Sequence, residues 1–470
     1  MIAHFLRPLF ILLEVVVLFN LLIIVHELGH FLAARWRGLV IEGFGVWFGK
    51  PLWAKTINGV QYSLGSIPFG GFVKLPQLAP MDIIEGKADV DRAQLPRISA
   101  LDKIIVAFAG PLFSLLLALA FACIVWVVGH PVSASDMTTT IGYVQTDSPA
   151  AKAGMRPGDK ILSVDNKRVS RFLGMSDSVG WNVIRSEGAT IPFDIERDGK
   201  TMHFDVTPYL APTSGWQRRS VRQVLISPEE EGIIGEVAPH SAAAAAGLQK
   251  GDKVEALNGN PIFSPLAVID FVEKHPQETL SLEIKRGPSE LSVQARPAIV
   301  DGEKTPRLGI KFDSSGSVSI SHPNPIEQVY NSITGTLTTI GAVASPKSDV
   351  KLQHMSGPIG IGNLMYRLFG SEYGWQLALW FSVLLNVNLA ILNMLPMPVL
   401  DGGHIALALI ESARRKPVNT RVLEFIQTAC AVLIIGYMLY ITFFDVQDLP
   451  FIRDRLNKTD APAQKGELGQ

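Results

Sequence analysis

The chain has 470 residues, 47% of them hydrophobic and 18% charged, with a net charge of −1 and a mean hydropathy of +0.25. Charged residues fall below the roughly 25% of soluble globular chains, and an apolar chain of so little net charge is not a disordered one. The length excludes a disulfide-stapled miniprotein, and the lack of a basic footprint argues against nucleic acid as a partner.

The hydrophobic excess is concentrated. Four stretches reach the about 20 apolar residues that a bilayer crossing needs. They run from about Leu9 to Ala34, Ile104 to Val128, Trp375 to Met397 and Phe425 to Phe444. The first is too long for a signal-peptide core, lacks a small-residue cleavage site and ends among ionisable groups, so it reads as a retained helix. The predicted fold class is a polytopic α-helical membrane protein. It has four transmembrane helices, a cytoplasmic-side β-hairpin or reentrant strands, and two exported α+β domains.

In chain order the expected parts are helix one over 1–36 and a β region over 37–100. Helix two covers 101–130, and the α+β domains cover 131–222 and 223–315. An amphipathic helix and linker follow over 316–372. Helix three covers 373–404, helix four 420–445 and a polar tail 446–470, which is expected to be disordered from Asn457 onward. Arg35, Arg37, Lys50, Lys55 and Lys74 follow helix one, and Arg414, Arg415, Lys416 and Arg421 follow helix three. The positive-inside rule places those two loops in the cytoplasm and the large insert outside. Arg453, Arg455 and Lys458 in the tail run against that orientation. Cys123 and Cys430 are the only cysteines and both fall in membrane helices, where they read as small packing residues. The insert therefore has neither a disulfide framework nor a cysteine metal site.

Helix one contains His26-Glu27-Leu28-Gly29-His30. Residues four apart share a helical face, so both imidazoles can bind one zinc ion. Glu27 is rotated by about 100° from His26 and is placed to take a proton from water. The bland alternative is a pair of structural histidines, but ionisable residues in a membrane helix are costly and usually functional. Catalytic zinc takes three protein ligands and keeps one position open. Asp401 and His404, in Leu400-Asp401-Gly402-Gly403-His404 at the end of helix three, are the two candidates for the third, Asp401 being preferred. Glu14, earlier in helix one, has no assigned role.

Between helices one and two, Asn58-Gly59 is a strong hairpin signal. The flanking β-rich runs Val40–Phe48 and Ile67–Val73 suit either strands that pair with an unwound substrate or a plain amphipathic loop. In helix three, Asn386, Asn388 and Asn393 interrupt an apolar sequence. They read as groups that bond an unwound substrate or as polar glue between helices.

A His-Glu-x-x-His motif in a first membrane helix, with Asn-x-x-Pro-x-Pro-x-x-Asp-Gly at a later one, resembles the site-2 protease family of intramembrane zinc metalloproteases. The second motif stands here as Asn393, Pro396, Pro398, Asp401 and Gly402. Gly70-Gly71-Phe72-Val73-Lys74 and Ser356-Gly357-Pro358-Ile359-Gly360 also match, and the resemblance spans residues 20 to 445. It implies a single catalytic zinc held by His26, His30 and Asp401, with Glu27 as catalytic base. It also implies substrate contact at Asn388, Asn393, Pro396, Pro398, Gly70 and Gly71. The implied substrates are membrane-spanning proteins in the lipid bilayer of the bacterial inner membrane: anti-sigma-factor-like regulators trimmed by an earlier cut, and remnant signal peptides.

The insert repeats itself. Gly142-Tyr143-Val144 and Ser148 to Ile161 recur as Gly235-Glu236-Val237 and Ser241 to Val254, at a constant offset of 93. Each copy reads as strand, short helix, Gly-Asp turn and strand, and resembles PDZ domains of the circularly permuted bacterial kind. Such a pair binds extended peptide ends by strand addition or gates substrates by size, gating being preferred. Ile326, Val329, Tyr330, Ile333, Leu337 and Ile340 recur at helical spacing. A membrane-tethered PDZ scaffold with a vestigial site, and a metal transporter, are the competing functions.

Overall fold

The computed structural model describes residues 2–78, 95–96, 98–213, 217–299, 305–313, 318–416, 418–450 and 452. The chain forms two compact units. Unit 1 is Met1–His130, His322–Thr339 and Leu352–Gln470; unit 2 is Pro131–Ser321 and Ile340–Lys351.

Unit 1 begins with α1 (Ile2–Arg37). A four-stranded sheet follows, with β1 (Gly43–Phe48), β2 (Trp53–Ile57), β3 (Val60–Leu64) and β4 (Ile67–Lys74) in the order β2-β3-β1-β4. Asn58 and Gly59 take φ of 51° and 82°, the positive values that a two-residue turn between β2 and β3 requires. Strand β1 runs parallel to β3 and antiparallel to β4, which leaves β4 at the sheet edge. Helix α2 (Ala100–Val128) opens on a capping box: the Asp102 N–H donates to Ser99 Oγ, and the Ser99 N–H donates to the Asp102 carboxylate. Helices α1 and α2 touch where Gly29 lacks a side chain, since a Cβ there would lie 2.5 Å from the Ala109 carbonyl oxygen. Small residues permit this approach, which is how helices pack in lipid.

Unit 2 starts with β5 (His130–Ser133) and α3 (Ala134–Met137). The first repeat contains β6 (Ile141–Val144), α4 (Pro149–Ala153), β7 (Lys160–Val164), β8 (Lys167–Arg168), α5 (Val179–Arg185), β9 (Ile191–Arg197), β10 (Lys200–Val206) and β11 (Ile226–Pro228). The second contains β12 (Gly232–Val237), α6 (Ala242–Ala245), β13 (Lys253–Leu257), β14 (Asn260–Pro261), α7 (Leu266–Lys274), β15 (Leu280–Arg286), β16 (Ser289–Ala295) and β17 (Ile310–Phe312). Strand β18 (Val318–Ser321) pairs with β5 and brings the two ends of the insert together.

The repeat is visible bond by bond. Ser148 caps α4 by accepting from the Ala151 N–H, as Ser241 caps α6 by accepting from Ala244. Arg197 clamps the buried Asp159 and reaches the Gly154 carbonyl; Arg286 does the same to Asp252 and Gly247. Each copy closes over its own core, the first around Ile141, Ile161 and Phe193, the second around Ile234, Val254 and Leu282.

The Arg286 hydrogen bonds hold the Asp252 carboxyl below the usual carboxylate range. Its contribution is therefore fully present above the unfolded value of about 3.9. It is lost as pH falls through that value towards the folded one. Asp252→Asn is expected to cost about 2 kcal/mol, the scale of a hydrogen bond to a charged group. Thermal unfolding of the full chain reads this as a lowered midpoint for unit 2 at pH 7; an unchanged midpoint contradicts it.

The chain then forms α8 (Pro325–Ala344), a single turn of 3₁₀ helix at Leu352–His354, α9 (Pro358–Gly370), α10 (Gly374–Asn393), α11 (Asp401–Arg414) and α12 (Thr420–Gln447). Among the described residues, four helical spans are long and apolar enough to cross a membrane: Leu6–Arg37, Ala100–Val128, Gly374–Asn393 and Arg421–Gln447.

Three expectations change. Helix three, expected through residue 404, ends at Asn393, and Asp401 opens a separate helix. Pro396 and Pro398 lie in the break, where their missing N–H groups and fixed φ end an α-helix. The expected linker contains helix α9. Cys123 is exposed on α2 rather than packed, while Cys430 is half-buried. The helical pattern at 326–340 also divides. Val329 and Ile333 pack against Leu22, Phe121 and Val383, whereas Ile326, Tyr330 and Leu337 are exposed. Most of the expected polar tail lies outside the described residues.

Candidate active site

Helices α1 and α11 bring three ligand-type side chains to one point. His26 Nε2 lies 3.2 Å from His30 Nε2 and 3.2 Å from Asp401 Oδ2. His30 Nε2 lies 3.3 Å from Asp401 Oδ1. A tetrahedral zinc site with bonds of 2.0–2.1 Å has ligand–ligand edges of about 3.3–3.4 Å. The imidazole–imidazole distance and the distance from each imidazole to one oxygen of Asp401, a different oxygen for each, lie close to that figure.

The outer ring nitrogens fix the tautomer. His30 Nδ1 is 2.8 Å from the Val106 carbonyl oxygen, which only accepts, so Nδ1 carries the proton and Nε2 presents its lone pair. His26 Nδ1 meets Ser114 Oγ at 3.0 Å, a partner that suits the same tautomer. Such outer bonds orient metal-binding imidazoles. Asp401 Oδ2 is buried and has no hydrogen-bond donor among the described residues. Electron-rich atoms thus face one another at contact distance, an arrangement that a cation satisfies.

The space exists because α2 has a glycine here. A Cβ on Gly110 would lie 2.2 Å from His30 Nε2 and 2.8 Å from His26 Nε2. Two more glycines let α11 start close to the preceding turn. A Cβ on Gly402 would meet the Met394 carbonyl oxygen at 2.2 Å, and one on Gly403 the Met397 carbonyl oxygen at 2.0 Å.

Glu27 lines the same cavity of about 260 Å³, together with His26, His30, Gly71, Asn393, Asp401 and His404. Val73 of β4 lines the cavity beside it. Gly71 leaves room for the Glu27 side chain, whose Cγ would be 3.2 Å from a Cβ there. Gly70 has φ of 87°, and a Cβ on it would overlap Phe48 at 1.9 Å. This stretch of β4 therefore tolerates no side chain at residue 70.

The remaining expected residues divide. Asn393 Nδ2 is 3.3 Å from His26 Nε2, inside the site. Asn388 is bonded to Thr336 of α8. Asn386 is buried and bonds Ser382 in its own helix. The Pro398 carbonyl accepts from Gln427 of α12. His404 lines the cavity but is not among the three clustered ligands. Gly110, Ser114 and Val106 were not singled out in the sequence; the small residues Ala107, Ala109 and Gly110 around Phe108 are the only local sign of them.

Peptidase family M50 matches residues 14–437 of the chain. The regulator of sigma-E protease RseP of Salmonella typhimurium is 29% identical over 468 residues, covering 91% of this chain and 97% of the relative. RseP of Escherichia coli is 30% identical over 457 residues, with coverages of 91% and 97%. A putative zinc metalloprotease of Xylella fastidiosa is 28% identical over 454 residues, with coverages of 90% and 95%. A solved PDZ domain of an SdrC-like protein from Listeria monocytogenes covers 18% of this chain and 90% of its own at 22% identity, with a TM-score of 0.16, a likeness too slight to carry the fold. With the family match running from the first membrane helix into the last, the chain belongs to peptidase family M50 and is a zinc metalloendopeptidase.

Proposed function

We propose that this enzyme cuts membrane-spanning segments at a site built from His26, His30 and Asp401 as zinc ligands and Glu27 as catalytic base. The observation that carries the reading is the meeting of those three ligand atoms within 4.8 Å of one another, in the cavity that Glu27 lines and beside a helix apolar enough to cross a bilayer. Zinc, when bound, polarises the scissile carbonyl and lowers the pKa of water to about 7. Glu27, which faces the same cavity, accepts the proton of the attacking water and returns it to the leaving amine. Asp401 is the third ligand in preference to His404: Asp401→Ala loses zinc and His404→Ala keeps it.

A transmembrane helix hides its backbone, so the substrate is cut in an extended form. Strand β4 lies at a sheet edge beside Glu27, and an edge strand pairs readily with an added strand. Gly70 and Gly71 keep that edge open. Asn388, Asn393 and the turn at Pro396 and Pro398 bind the unwound segment from the other side. Substrates are membrane-spanning regulators of the anti-sigma-factor kind and remnant signal peptides, in a bacterial inner membrane. The loops after α1 and after α11 face the cytoplasm. The two repeats of unit 2 are PDZ domains on the outer face, and they gate substrates by size.

The test is a comparison of membrane proteomes in cells carrying wild type or Glu27→Gln. Uncut membrane-spanning proteins with small exported portions are expected to accumulate in the variant. Indistinguishable proteomes contradict the reading.

A further inference from the structure

Helix α12 is largely exposed. Its exposed residues include Phe425, Val432, Leu433, Ile435, Leu439 and Phe443, while its buried ones are Gln427, Ala431, Ile441, Phe444 and Asp445. Gln427 and Asp445 are 18 residues apart, which is five turns at 3.6 residues per turn, so they share one face about 27 Å apart along the axis. Both reach backbone elsewhere in unit 1. Gln427 donates to the Pro398 carbonyl at 3.3 Å, in the turn that leads into Asp401. Asp445 accepts from the Gly357 and Gly360 N–H groups, each at 2.9 Å.

Asp445 is costly where it stands. It is 3% exposed, and buried charge in an apolar segment is unfavourable. It also sits in the last turn of its own helix, where the macrodipole disfavours negative charge. The first turn of α9 removes the conflict. Gly357 caps that helix without a side chain of its own, so its orphan N–H groups need an outside acceptor, and the dipole there favours a carboxylate. Both glycines are required by the fit. A Cβ on Gly357 would lie 2.9 Å from Asp445 Oδ2, and one on Gly360 would lie 2.7 Å from Asp445 Oδ1. This accounts for Ser356-Gly357-Pro358-Ile359-Gly360, a motif that the catalytic site leaves unused. Helix α9 is tied at its other end as well, where Arg7 of α1 donates to the Gly370 carbonyl at 3.1 Å.

We propose that Asp445 is a positioning residue for the peptidase site. Its cap on α9 sets the register of α12, and so keeps Gln427 on the Pro398 carbonyl beside Asp401. The inference rests on the proposed assignment of Asp401 and deepens it.

The experiment uses the full chain purified in detergent, as wild type, Asp445→Ala, Asp445→Asn, Gly360→Ala and the Asp445→Ala/Gly360→Ala double variant. Cleavage of a membrane-spanning substrate, zinc content and maleimide labelling of the two native cysteines are followed. Cys430 reports on α12, and Cys123 on α2 is the internal control. Asp445→Ala is expected to lower kcat at least about tenfold, the scale of lost support around a metal site, with KM unchanged. Labelling of Cys430 rises and that of Cys123 does not. Asp445→Asn, which keeps one acceptor oxygen, falls between Asp445→Ala and wild type. Gly360→Ala reproduces the loss by collision, and the double variant is no worse than Asp445→Ala, because both remove one interaction. Wild-type kcat in Asp445→Ala overturns the proposal. So does a lowered kcat with Cys430 labelling unchanged, and so do losses that multiply in the double variant. Cleavage that persists in Glu27→Gln strikes instead at the peptidase assignment beneath it.

Discussion

Glu27→Gln is expected to keep its zinc and lose cleavage by about 10²- to 10⁴-fold, the contribution of a positioned general base. Glutamine has nearly the shape of glutamate and fits the same place in the cavity. His26, His30 and Asp401 keep their mutual distances, because Glu27 is not one of the clustered ligands. The change removes only the ability to take and return a proton. Metal analysis beside single-turnover cleavage of a membrane-spanning substrate separates the two properties. Wild-type cutting by this variant would end the mechanism, and zinc loss would make Glu27 a ligand or a structural support instead.

Gly110→Ala is expected to abolish zinc binding and cleavage together. The added methyl would lie 2.2 Å from His30 Nε2 and 2.8 Å from His26 Nε2, so both imidazoles have to turn away and the 3.2 Å approach between them is lost. Zinc affinity should fall at least about 100-fold, the upper end of what disturbing a ligand's support costs. Local helix energetics push the other way, since alanine is favoured over glycine inside a helix by about 1 kcal/mol. An unfolding midpoint that holds or rises while zinc is lost therefore marks a site effect rather than a damaged fold. Zinc retained at wild-type affinity contradicts the geometry.

What the sequence disclosed followed the range of each interaction. His26, Glu27 and His30 were legible because helical periodicity alone puts the two histidines on one face. Asp401 was legible through the resemblance that it shares with Asn393, Pro396 and Pro398 to the site-2 protease motif. The insert's duplication was legible because the 93-residue offset carries the Ser148 cap and the Gly158-Asp159 turn onto Ser241 and Gly251-Asp252. Ser114 and Val106 were not, since they reach the histidines from 88 and 76 residues away. Gly110 matters for what it lacks, and nothing in its neighbourhood announces the imidazoles. The contact between Thr336 and Asn388 was hidden for the same reason. Helix α9 was read as linker because its meaning lies in Asp445, 85 residues beyond Gly360. The split between α10 and α11 was signalled by its prolines, yet the apolar run through them favoured one continuous span.

The central claim is that two imidazoles and one carboxylate hold a single zinc ion. Zinc K-edge absorption fine structure of the purified full chain tests it most directly. The account predicts about one zinc per chain, a first shell of nitrogen and oxygen near 2.0–2.1 Å, two imidazole scattering patterns, and loss of the metal in Asp401→Ala but not in His404→Ala. A sulfur shell, or an unchanged spectrum and zinc content in Asp401→Ala, would contradict it.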